Sequence, residues 1–108
     1  MTPDHFVYMW SYEVAAENRE AFCDLYGPEG PWVELFRQAP GYLDTQLLVD
    51  LDEVGRFVTI DRWESKEAFA RFRADFAEGF DVLDRLGERL TSREVLLGEF
   101  GAADRGSV

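Results

Sequence analysis

At 108 residues the chain fits one domain, large enough to bury a core without disulfides or metal, and its net charge of −11 repels phosphate backbones and anionic lipid heads. Hydrophobic residues make up 46% and aromatic residues 15%, which excludes a disordered chain and places the acidity on the surface. Nucleic acid and membrane are therefore not expected partners, and a neutral or cationic small ligand is easier to accommodate. A lone cysteine, Cys23, cannot form an internal bridge. No basic region followed by an apolar stretch opens the chain, and no apolar run approaches the roughly 20 residues of a membrane span. The expected compartment is the cytoplasm.

From His5 to Val14 the residues alternate, with Phe6, Tyr8, Trp10 and Tyr12 on one face and Val7, Met9 and Ser11 on the other. Both faces are largely apolar, so this strand needs cover on both sides. Ala15 to Tyr26 reads as a helix with Ala21, Phe22 and Leu25 inward. Gly27 ends it, and the breaker-rich GPEGP segment forces a turn before a second helical piece, Trp32 to Gln38, with Pro31 suited to its first turn. After Ala39-Pro40-Gly41, the runs Tyr42 to Leu51 and Arg56 to Trp63 form a hairpin around Asp52-Glu53-Val54-Gly55.

Ser65 offers an N-cap hydroxyl, and Ala68, Phe69, Phe72 and Phe76 then recur as one face of a helix reaching about Phe76. A second apolar series, Phe80, Leu83, Leu86 and Leu90, extends helical structure past Gly79. Thr91 to Phe100 closes as a strand with Val95 and Leu97 on one face and Leu96 on the other. The residues from 101 to 108 read as a flexible polar tail, leaving residues 1–100 as the domain.

The order strand, helix, strand, strand, helix, strand predicts an α+β, ferredoxin-like βαββαβ fold: a four-stranded antiparallel sheet with the helices on one face. The opposite sheet face is left without helices. Because the first strand is apolar on both sides, a partner sheet from a second copy is the simplest cover, and a homodimer is predicted.

The segments APGYLDTQLL and GRFVTIDRWESKEAF resemble the antibiotic biosynthesis monooxygenase family of small dimeric α/β-barrel proteins. The likeness runs from about Phe6 to Phe100 and is densest from Pro40 to Phe72. It implies the ferredoxin-like fold, a dimer and no cofactor, within a family that includes cofactor-free oxygenases of polycyclic aromatics or quinols and haem-degrading enzymes. It also implies a role at the substrate for Trp63, which matches the tryptophan ending the third strand of haem-degrading members. The asparagine on strand 1 and the helical histidine of those members have no counterpart here, where strand 1 carries Ser11 and the Ser65–Phe76 helix has no histidine.

By period, Asp61 shares the face of Trp63, and a buried carboxylate beside a tryptophan is a candidate base with a raised pKa. An edge or interface ion pair is its competing reading. With Trp63 and Tyr12 it makes the candidate catalytic set, while Tyr8, Trp10, Trp32, Tyr42 and Phe72 are candidate substrate-binding residues for a flat apolar or aromatic ligand. Ordinary core and interface packing is the usual fate of such rings. His5, at the very start of strand 1, reads as a solvated histidine, and Cys23 as a small core residue. One histidine and one cysteine cannot make a zinc site, and the acidic residues lack calcium-loop spacing, so no metal is expected.

Two functions follow as expectations. One is a cofactor-independent monooxygenase acting on a small aromatic or quinol-like substrate between sheet and helices; the other is a non-catalytic dimer that binds a small apolar ligand or serves as an accessory subunit.

Overall fold

A computed structural model describes residues 5–103. Its elements are β1 (Phe6–Glu13), a short 3-10 turn (Ala16–Asn18), α1 (Arg19–Tyr26), α2 (Pro31–Phe36), β2 (Tyr42–Val49), β3 (Arg56–Trp63), α3 (Lys66–Asp75), α4 (Ala77–Leu90) and β4 (Arg93–Gly101). The strands pair in the order β2-β3-β1-β4, each pair antiparallel, giving the expected α+β, ferredoxin-like sheet. Each "helix" of the predicted pattern is a pair of helices, α1 with α2 and α3 with α4.

Local sequence explains the boundaries. The GPEGP segment interrupts the first helical layer, and Pro31 stands at the start of α2, where its missing N–H is no loss. Ser65 caps α3: its hydroxyl accepts from Ala68 N at 3.1 Å while its own backbone stays extended. Gly55 has φ of 89°, a left-handed conformation that closes the β2–β3 hairpin and suits glycine.

The core lies between the sheet and the helices. Phe6, Tyr8 and Tyr12 of β1, Phe57 and Trp63 of β3, Phe22, Leu25 and Tyr26 of α1, Trp32 and Phe36 of α2, and Ala68 and Phe72 of α3 pack as one cluster. Its rings meet in a continuous network, with Phe22 stacked on Tyr26 at 4.4 Å and Trp63 tilted on Phe72 at 5.1 Å between centroids.

Three details depart from the sequence pattern. Ala21 is exposed, because α1 begins at Arg19 and turns Phe22 and Leu25, but not Ala21, to the sheet. The stretch before Arg19 forms a 3-10 turn rather than α-helix. In β4, Leu96 pairs with Trp10 and Gly98 with Met9, so Leu97 is an extra residue, a bulge that ends the shared alternation with Val95. The bulge brings Glu94, Leu96 and Glu99 to the same cavity. Gly101 belongs to β4, one residue beyond the expected end of the domain, and residues 104–108 of the expected tail lie outside the described residues.

Candidate active site

Strand alternation places Tyr8 and Tyr12 of β1, Thr59 and Asp61 of β3, and Thr45 of β2 on the helix-facing side of the sheet. With Tyr26 and Trp32 from the first helical layer, Phe69 and Arg73 from α3, and Phe80 and Asp84 from α4, they line a cavity of about 190 Å³. Of the candidate residues, Asp61, Tyr12, Tyr8, Trp10 and Trp32 meet on this cavity. Trp63 and Phe72 do not line it: they are fully enclosed in the core behind it. Tyr42 also stands back from the lining.

Asp61 is the unusual group. It is 6% exposed and pairs with no cation among the described residues; the neighbouring Arg62 pairs with Asp44 at 3.0 Å on the outer side. Burial raises its pKa to about 7, the hydrogen bond from Thr45 works against that rise, and the charge of Asp44 adds to it. A carboxyl in that range can accept a proton at neutral pH and give it up again.

One hydrogen-bond chain ends on this carboxyl, and other side-chain hydrogen bonds lie beside it. Thr45 Oγ1 donates to Asp61 Oδ1 at 2.6 Å, and a threonine hydroxyl has one proton, so Tyr42, 2.7 Å away, is the donor to Thr45. Tyr42 therefore acts at one remove, as the outer member of a Tyr42–Thr45–Asp61 chain. On the other side Trp63 Nε1 donates to the Tyr8 hydroxyl at 3.3 Å. The Tyr12 hydroxyl shares a hydrogen bond of 3.1 Å with Thr59.

Burial holds the hydroxyls of Tyr8, Tyr12 and Tyr26 above their usual range, with further contributions from Asp61 at Tyr8, Tyr26 at Tyr12 and Glu94 at Tyr26. They are protonated donors at any ordinary pH. Trp32 Nε1 is buried without an acceptor in hydrogen-bonding geometry, although the Tyr26 hydroxyl lies near enough to feel it. The Tyr26 hydroxyl fits against α4 only because residue 87 is glycine: a Cβ there would collide with it. Burial also raises Glu94, with Asp84 and Glu88 adding to the shift against the Thr91 hydrogen bond.

His5 and Cys23 take no part in the lining, and burial followed by Asp24 pushes the Cys23 thiol up, away from thiolate. Among the described residues no group of three or more His, Cys, Asp or Glu side chains could hold a metal ion, and no helix is long and apolar enough to cross a membrane. Sequence reasoning missed Thr45, Thr59, Tyr26 and Glu94. Thr45 was accessible in principle through the hairpin register, which sets it opposite Asp61, whereas Glu94 is placed by its pairing opposite Tyr12, between strands far apart in sequence.

Fold and site together define a small sheet-and-helix protein that keeps an uncompensated acid inside an aromatic cavity. The chain belongs to the antibiotic biosynthesis monooxygenase family, whose sequence model matches residues 6–75. No curated protein matches it by sequence. Among solved structures it is similar to SnoaB, a cofactor-independent oxygenase from Streptomyces nogalater, with 22% identity, a TM-score of 0.64, and coverage of 94% of this chain and 93% of that one. A structure described as an antibiotic biosynthesis monooxygenase has 23% identity and a TM-score of 0.61, covering 92% of this chain and 99% of that one. A conserved protein from Methanosarcina mazei has 10% identity and a TM-score of 0.70, covering 91% and 92%. At these identities the likeness establishes the shared fold.

Proposed function

We propose that the protein is a cofactor-independent monooxygenase acting on a small aromatic or quinol-like substrate held between sheet and helices. The observation that carries this reading is Asp61, a buried carboxyl with a pKa of about 7 on a cavity wall rich in aromatic rings. A module that only held an apolar ring would be more stable with an apolar residue there, because burying an uncompensated carboxylate is costly. Asp61 acts as the base; the deprotonated, electron-rich ring then reacts with dioxygen. The protein supplies orientation and exclusion of water. An apolar cavity of about 150 Å³ accepts benzene, so about 190 Å³ suits one substituted ring. The name of SnoaB as a cofactor-independent oxygenase supports the same chemistry.

The test is oxygen uptake with a panel of hydroquinones, catechols and anthrones, comparing the protein with Asp61→Asn. Uptake well above buffer that falls at least about a hundredfold in the variant is expected, since a positioned base contributes on the order of 10²–10⁴. Rates equal to buffer across the panel would sink the oxygenase and leave the ligand-binding alternative.

A second copy of the chain covers the open sheet face in this reading. Val7 and Met9 of β1, Val58 and Ile60 of β3, Leu48 of β2 and Phe100 of β4 alternate away from the helices, and Leu48 and Phe100 remain 47% and 48% exposed. Such a contiguous apolar surface marks an interaction site. The two-fold dimers implied by the family resemblance would bury it sheet against sheet.

A further inference from the structure

Trp63 is enclosed in the core, yet its one polar atom is committed at the edge of the cavity. An indole N–H is a donor only, so in the 3.3 Å contact with Tyr8 the phenolic oxygen is the acceptor. The proton of Tyr8 then has no acceptor among the described residues. Asp61 stands directly opposite Tyr8 in the β1–β3 register. One of its oxygens takes the proton of Thr45, and the other has no hydrogen-bond partner among the described residues. A free donor and a free acceptor thus sit side by side on the cavity wall without meeting each other.

A hydroxyl is the smallest group that answers both at once: its oxygen accepts from Tyr8 while its own proton goes to Asp61. We propose that Tyr8 and Asp61 jointly bind the hydroxyl of a single-ring phenol, that Tyr8 stabilises the phenolate oxygen once Asp61 has taken the proton, and that Trp63 is a positioning residue fixing the direction of the Tyr8 O–H. In this step the ligand O–H bond breaks, the proton bonds to the Asp61 carboxylate and the electron pair stays on the ligand oxygen; nothing is oxidised. The assignment rests on Asp61 being the base of the proposed oxygenase, and it moves Trp63 from the substrate to one residue behind it.

The surroundings select the charge of the ligand. Facing the same cavity are Arg73 from α3, Asp84 from α4, and Glu94 and Glu99 from β4, with the Tyr12 hydroxyl from β1 and Thr45 from β2. Arg73 lies 3.9 Å over the ring of Phe80, and no carboxylate pairs with it among the described residues. Carboxylates outnumber it, so a ring bearing its own carboxylate is disfavoured and an uncharged phenol preferred.

The ionisation of 4-nitrophenol, whose phenolate absorbs in the visible, tests the couple without oxygen. Under nitrogen, saturable binding is expected, with Tyr8→Phe lowering the phenolate-to-phenol ratio of the bound probe about tenfold, the effect of losing one hydrogen bond to a charged oxygen. Trp63→Phe should lower it by a smaller factor, and the double variant should match Tyr8→Phe alone, because Trp63 acts only through Tyr8. Near-ultraviolet circular dichroism establishes that each variant is folded; if Trp63→Phe is not, Tyr8→Phe decides. No saturable binding, an unchanged ratio in Tyr8→Phe, or a Trp63→Phe effect that adds fully to that of Tyr8→Phe overturns the assignment. The expected spectra without oxygen uptake from any phenol would overturn the oxygenase and leave the couple; turnover with an unchanged ratio in Tyr8→Phe would do the reverse.

Discussion

Replacing Asp61 by asparagine should make the protein more stable at pH 8 while leaving its stability near pH 4 almost unchanged. Burial raises this carboxyl from 3.8 to about 7, a difference of roughly three units. At about 1.36 kcal/mol per unit this corresponds to about 4 kcal/mol. Because the folded protein binds the proton more tightly than the unfolded chain, the stability tied to it is fully present below the unfolded pKa near 4. It is lost as pH rises towards 7, with a slope of up to about 1.4 kcal/mol per pH unit. Asparagine keeps an oxygen to accept from Thr45 but carries no charge, so its stability curve lacks this loss. Glu94 is also raised by burial and destabilises in the same direction, but it is common to both proteins and cancels in the difference. Urea unfolding of the two proteins at pH 4, 5.5, 7 and 8 measures the effect. Equal stabilities at pH 8, or parallel pH profiles, would refute the claim that Asp61 is buried and uncompensated. A gain in stability together with a loss of oxygen uptake is the signature of a group kept for chemistry against its folding cost.

Gly87→Ala should destabilise the protein by about 1–3 kcal/mol despite alanine's better helix propensity, because the methyl meets the Tyr26 hydroxyl, and adding Tyr26→Phe should restore most of the loss in a thermal melt. Ser65→Ala removes the hydroxyl that caps α3 and should cost about 1 kcal/mol, seen as a melting temperature about 4–8 °C lower. Sedimentation at micromolar concentration should give a dimer, and Ile60→Lys, on the open sheet face, should give a folded monomer; a wild-type monomer would remove the reason for the apolar outer face.

How much of this was legible in the sequence depended on whether the signal was local. The Ser65 cap, the Ala68 and Phe72 face, the breaker-rich turn before α2 and the alternation of β3 are set by neighbours in the chain, and the structure carries each where the sequence pattern places it. The departures come from pairing at a distance. The bulge opposite Met9 and Trp10 ends the alternation of β4, and no count along that strand alone reveals it.

The site divides in the same way. Strand period alone put Asp61 and Trp63 on one face and supplied the acid and the rings, because every second side chain of a strand points the same way. Only the tertiary structure decided what each would touch. Helix packing closed Trp63 into the core, turned its N–H to Tyr8, and left Asp61 beside the cavity with Thr45 as its donor and no cation among the described residues to balance it. Residue order fixes which faces exist, but burial and charge compensation depend on which other faces fold against them.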